Sequence, residues 1–116
     1  MEVVIMQLLF LVLNRVEKLE DLLKGFMNEG ITGATIINST GMIKELAGCM
    51  EHQPIFGSPW MHINCDRKES KTIFMALDEE KLEKARKVIH QVIGDMSEPD
   101  SAAMFTIPII SAEGID

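Results

Sequence analysis

Residues 14–39 read NRVEKLEDLLKGFMNEGITGATIINS, and this stretch decides the fold. Val16, Leu19, Leu22, Leu23, Phe26 and Met27 recur at helical period and define one apolar face. Asn14 and Glu17 stand three apart, the spacing of a capping box that satisfies free amides of a first helical turn, so a helix is expected to begin here. Gly30 can take the left-handed conformation that ends it. Directly beyond, Gly30-Ile31-Thr32-Gly33-Ala34-Thr35 runs into a short β-branched segment. The unit is a helix, a glycine turn and a strand.

Working outward, the second half repeats the design. Asp78 is the expected N-cap of a helix whose buried stripe is Leu82, Ala85, Val88, Ile89, Val92 and Ile93, and Gly94 closes it. Strands are predicted over residues 5–13, 34–38, 71–77 and 104–110. The order strand, helix, strand, long connection, strand, helix, strand predicts an α+β, ferredoxin-like βαββαβ sandwich with two helices on one face of an antiparallel sheet. The first and third strands are the most continuously apolar, which suits central positions. The fourth contains Pro108, which cannot donate to a ladder and belongs at an edge.

The first strand carries a further implication. Met6, Leu8, Phe10 and Val12 point one way, while Ile5, Leu9, Leu11 and Leu13 point the other with only Gln7 among them. Two helices cover one face, so burying the second calls for another subunit or for the long loop folded back over it. One loop of mixed polarity would have to cover a whole sheet, so a homo-oligomer is expected.

At 116 residues and 47% hydrophobic, the chain fits a single domain spanning 1–116. A net charge of -7 and no basic run oppose a phosphate backbone, so nucleic acid is not an expected partner. Residues 1–13 are too short for a membrane span, and carry Glu2 without a basic leader region, so they read as a strand. Two cysteines without a secretory signal suggest reduced thiols and a cytoplasmic protein.

The Gly30-Ile31-Thr32-Gly33-Ala34-Thr35 turn resembles the Gly-Ile-Thr-Gly-x-Thr of the P-II family of nitrogen-regulatory signalling proteins. Met104-Phe105-Thr106-Ile107-Pro108-Ile109 is similar to that family's last-strand Ile-Phe-Val-Leu-Pro-Val. The resemblance implies a homotrimer with ATP or ADP between subunits, and a long loop after the second strand, here residues 40–70, that controls a protein partner. It also implies roles for Thr35 near the adenine, Gly41 at the base of the loop, and Lys44 where the family has an arginine. The family's Gly-Asp-Gly-Lys phosphate turn reads Asp100-Ser101-Ala102-Ala103, and no Lys or Arg follows Lys87. With Asp95, Glu98 and Asp100 in place of cations, a triphosphate is expected to bind weakly or not at all. The chain has no tyrosine, which excludes regulation by modification of a loop tyrosine.

The connection of residues 40–70 is unusually long for a compact domain, and such segments are usually functional. Met42, Ile43, Leu46, Ala47 and Met50 recur at helical spacing, and Ile55, Phe56 and Trp60 are available to a partner. Cys49 with His52, and His62 with Cys65, form mirror-image pairs whose thiolates and imidazoles suit tetrahedral zinc. The bland reading makes Cys49 part of the short helix, the histidines solvated and Cys65 incidental. A trimeric metal-binding protein of the divalent-cation-tolerance type is accordingly the alternative function. His90 reads as a boundary residue, the carboxylates of residues 78–80 as capping charge, and the acidic run of residues 95–100 as a solvated loop or a hard-cation site. The nine methionines read as packing, mostly at core-facing positions. No nucleophile, phosphate-loop or metalloprotease pattern occurs, so no enzyme is expected.

Overall fold

Leu9, Leu11 and Leu13 have no solvent exposure, and the strand that carries them is the middle of the architecture. The computed structural model describes residues 5–47 and 69–115. Four strands, β1 (Met6–Leu13), β2 (Thr35–Ser39), β3 (Ser70–Asp78) and β4 (Ala102–Pro108), form one sheet in the order β2-β3-β1-β4. Every pairing is antiparallel. The helices are α1 (Leu19–Asn28), α2 (Met42–Ala47) and α3 (Glu79–Ile93). The expected ferredoxin-like arrangement is therefore present, with β1 and β3 central and the Pro108 strand at an edge.

Local signals explain most boundaries. Asp78 caps α3, its Oδ1 accepting from the Lys81 amide at 2.9 Å. Gly94 closes α3 at φ 82 and Gly30 follows α1 at φ 77, both in the region that a side chain disfavours. The start of the first helix departs from expectation. A 3-10 turn over Val16–Lys18 comes first, with Arg15 in the N-cap position making no side-chain cap bond, and α1 begins at Leu19. The fourth strand begins two residues earlier than predicted, because Ala102 and Ala103 continue the ladder opposite Leu13 and Val12.

The core lies between one sheet face and the two long helices. Leu9, Leu11, Leu13, Ile73, Met75 and Leu77 meet Leu22 and Phe26 of α1 and the stripe of α3. Of the predicted stripes, Leu82, Ala85, Val88, Ile89 and Ile93 are buried and Val92 packs at the margin, whereas Met27 is exposed. Met75 is the one fully core methionine among the described residues, and Met42 is exposed. The methionines thus divide between packing and surface, because helical spacing alone does not say what covers a side chain.

Gly25 sets the closeness of α1 to α3. A Cβ placed on it would lie 2.6 Å from Val88 Cγ1, inside any tolerable contact. Gly25→Ala is expected to lower stability in urea unfolding. Overpacking costs about 1–3 kcal/mol, against a helix-propensity gain of about 0.5–1 kcal/mol.

Candidate functional site

β2 ends, β3 begins, β1 ends and β4 begins at the same edge of the molecule, and α2 follows β2 there. This edge holds the start of the 40–70 connection and the turn before β4 that the sequence singled out, whereas the turn of residues 30–33 lies at the opposite end, beside Asp78 and Lys81. The centre of this edge is the turn over residues 95–101. Ser101, 1% exposed, donates its hydroxyl to the carbonyls of Met96 at 3.0 Å and Glu98 at 2.8 Å. Its own carbonyl accepts from the amides of Asn14 at 2.9 Å and Arg15 at 3.2 Å. Ser70, equally buried, donates to Asn14 Oδ1 at 2.6 Å. The start of β4, the start of β3 and the end of β1 are thereby tied together without a large side chain.

The acidic residues of the turn are engaged. Glu98 Oε2 lies 2.6 Å from an Arg15 guanidinium nitrogen, and a second nitrogen of Arg15 donates to the Ile93 carbonyl at 3.5 Å. Asp100 Oδ1 lies 2.7 Å from Lys44 Nζ, with the two side chains 30% and 12% exposed. Asp95 accepts from the hydroxyl and amide of Ser97, and these bonds hold its carboxyl below the usual carboxylate range. The turn is solvated at Asp95 and Glu98, as expected, and Asp95, Glu98 and Asp100 each also have a defined partner.

Of the residues expected at a nucleotide site, Thr35 is exposed at the first position of β2, opposite Phe74. Gly41 is exposed, its carbonyl accepts the Glu45 amide at 2.9 Å, and an added methyl would meet none of the described residues. Lys44 is held by Asp100. Thr35 and Lys44 therefore sit at opposite ends of the β2–α2 segment, and the cation is taken. Arg15 was missed by sequence reasoning. The signal was its place just after Leu13, since the register that pairs Leu13 with Ala102 brings the next residues to the turn before β4.

Cys49, His52, His62 and Cys65 lie outside the described residues, as do Met50, Ile55, Phe56 and Trp60. Among the described residues no group of three or more His, Cys, Asp or Glu could hold a metal ion. His90 is exposed on α3. Among those residues, too, no helix is long and apolar enough to cross a membrane.

The other face of the sheet is apolar. The register sets Thr35, Phe74, Phe10 and Phe105 in one row across all four strands, and the Phe10 and Phe74 rings lie 5.7 Å apart. Phe105, Ile107 and Ile37, on the same face, are 58%, 47% and 48% exposed. This agrees with the two-faced reading of β1, whose even-numbered residues have neither α1 nor α3 over them.

No family model and no curated protein matches the chain. Among solved structures it is similar to a functionally unknown protein from Pediococcus pentosaceus ATCC 25745, with a TM-score of 0.62 and 12% identity over 96% of this chain and 98% of that one. It is similar also to Arabidopsis thaliana PII bound to citrate, with a TM-score of 0.62 and 11% identity over 90% and 78% of the two chains. At such identities the likeness establishes a fold, and the fold is PII-like.

Lys44 and Arg15 are both paired with carboxylates, which leaves Lys71, hydrogen-bonded to the neutral Asn38 side chain, as the cation without a carboxylate partner that an incoming triphosphate meets among the described residues at this edge. Thr35 and Gly41 offer a hydrogen bond and a close backbone approach, each worth about 1 kcal/mol net. Calorimetry with ATP and with ADP is expected to show no saturation in the micromolar range, and a micromolar dissociation constant for either nucleotide would contradict this account of the site.

Proposed function

We propose that this chain is a non-enzymatic, P-II-like regulatory protein of the cytoplasm that assembles as a homotrimer and acts on a protein partner through residues 40–70. The observation that carries the reading is the PII-like fold, matched over most of the chain, together with an open apolar sheet face. Large aromatic and branched side chains grouped on one face of a protomer mark an interface, because their exposure to water is costly. The family resemblance of the glycine turn and last strand supports three copies around that face, and nitrogen regulation as the setting.

The loop is proposed as the output because both its flanks, α2 and the start of β3, sit at the edge where the ion pairs gather. Met42, Ile43 and Leu46 of α2 are exposed beside it. A small-molecule effector in the cleft between subunits completes the reading. The Arabidopsis structure was obtained with citrate, which supports a compact polyanion as the class of effector.

Sedimentation of the unaltered chain is expected to give a trimer. Phe105→Asp places a charge where the protomer already exposes the ring, so folding should persist while a desolvated carboxylate opposes assembly by several kcal/mol, roughly the effective burial cost of an ion. The expected product is a folded monomer by circular dichroism and sedimentation. A monomeric unaltered protein would remove the oligomer from the proposal.

Pull-down with intact protein and with a variant lacking residues 48–68 tests the output. Recovery of a partner only by the intact protein is expected, and identical recoveries would remove the loop from the proposal.

A further inference from the structure

Lys44 carries the only positive charge of α2, and its side chain is 12% exposed. An ammonium so far withdrawn from water needs an anion beside it, since an unpaired charge in that position is strongly disfavoured. The chain supplies that anion itself. Asp100 lies 56 residues away in sequence and reaches Lys44 from the turn that leads into β4. Asp100 is also the only non-glycine residue with positive φ among the described residues, at 58°. The same turn supplies Glu98 to Arg15, so two cations from different elements are neutralised by one short acidic segment.

The two pairs are unequal. Glu98 is 59% exposed, and an ion pair in such a setting contributes only about 0–1 kcal/mol. Lys44 and Asp100 are the more enclosed pair, and their contact joins the helix that opens the 40–70 segment to the far side of the sheet.

We propose that Asp100 is a built-in competitor, its carboxylate holding a place on Lys44 that a small polyvalent anion bearing phosphate or carboxylate groups would otherwise take. The anion site is masked rather than absent. A ligand enters by displacing Asp100, and the displacement is felt by α2 at the head of the loop. Only that last consequence rests on the regulatory reading given above; the competition for Lys44 stands on the geometry.

Asp100→Asn tests the competition directly, because asparagine keeps the shape, tolerates the left-handed backbone and removes the charge. Asp100→Gly, which adopts positive φ freely, is the second variant. The full chain is titrated by calorimetry with inorganic triphosphate and, separately, with citrate. Either variant is expected to bind at least one of them about tenfold or more tighter than the unaltered chain does, the scale of one charge-assisted contact. Gain with triphosphate alone assigns a phosphate ligand, and gain with citrate alone assigns a polycarboxylate. Adding Lys44→Ala to either variant should abolish the gain. The proposal is overturned by folded variants that show no gain, by a gain that survives Lys44→Ala, or by failure of both variants to melt cooperatively, which would make Asp100 a structural clasp. None of these outcomes depends on the pull-down, so the competition and the loop's partner can fail separately.

Discussion

The junction of Asn14 with Ser101 is the contact on which the sheet depends. β1 is apolar on both faces, so sliding its register by one residue would replace Leu9, Leu11 and Leu13 beneath the helices with Leu8, Phe10 and Val12. Hydrophobicity alone resists that slip poorly, whereas in a strand with one polar face it would be strongly opposed. Here polar groups fix the register. The Ser101 carbonyl accepts two consecutive amides, the Ser101 hydroxyl closes its own turn, and Ser70 reaches Asn14, with both serines 1% exposed. A slipped strand would leave these buried groups unpaired, at about 1–3 kcal/mol each.

The turn that fixes the register also governs the chemistry of this edge. Ser101 holds residues 96–101 in a tight loop, and that loop presents Glu98 to Arg15 and Asp100 to Lys44. Arg15 and Lys44 bring positive charge to the place where a phosphate-binding edge would need it, and both are already compensated. The negative character of the site follows from which charges are engaged as much as from which residues are present.

With the register fixed, the layers follow. The odd-numbered residues of β1 and β3 lie under α1 and α3, where full burial of a leucine or isoleucine contributes about 1.5–3 kcal/mol, and Gly25 lets those helices approach closely. The even-numbered residues form the aromatic row on the face away from α1 and α3. One strand therefore serves a protomer core on one side and an apolar surface on the other, and this connects a folding constraint to the assembly proposed above.

By itself, the sequence determined what short-range physics controls. The stripe of α3, its Asp78 cap, the glycine termini of both long helices, and the central and edge places of the strands were legible, because period, capping and proline act within a few residues. The tertiary structure alone decided the rest. The first helix opens with a 3-10 turn after the Asn14–Ser101 junction, and β4 gains Ala102 and Ala103, residues of weak strand preference that pair because Leu13 and Val12 lie opposite. Met27, Met42, Ile43 and Leu46 have helical spacing yet remain exposed, since periodicity orients a side chain without supplying a cover. Arg15 and Lys44 meet their carboxylates across 83 and 56 residues. No local pattern encodes such pairs, because their partners are chosen by strand register, and register is a property of the whole sheet.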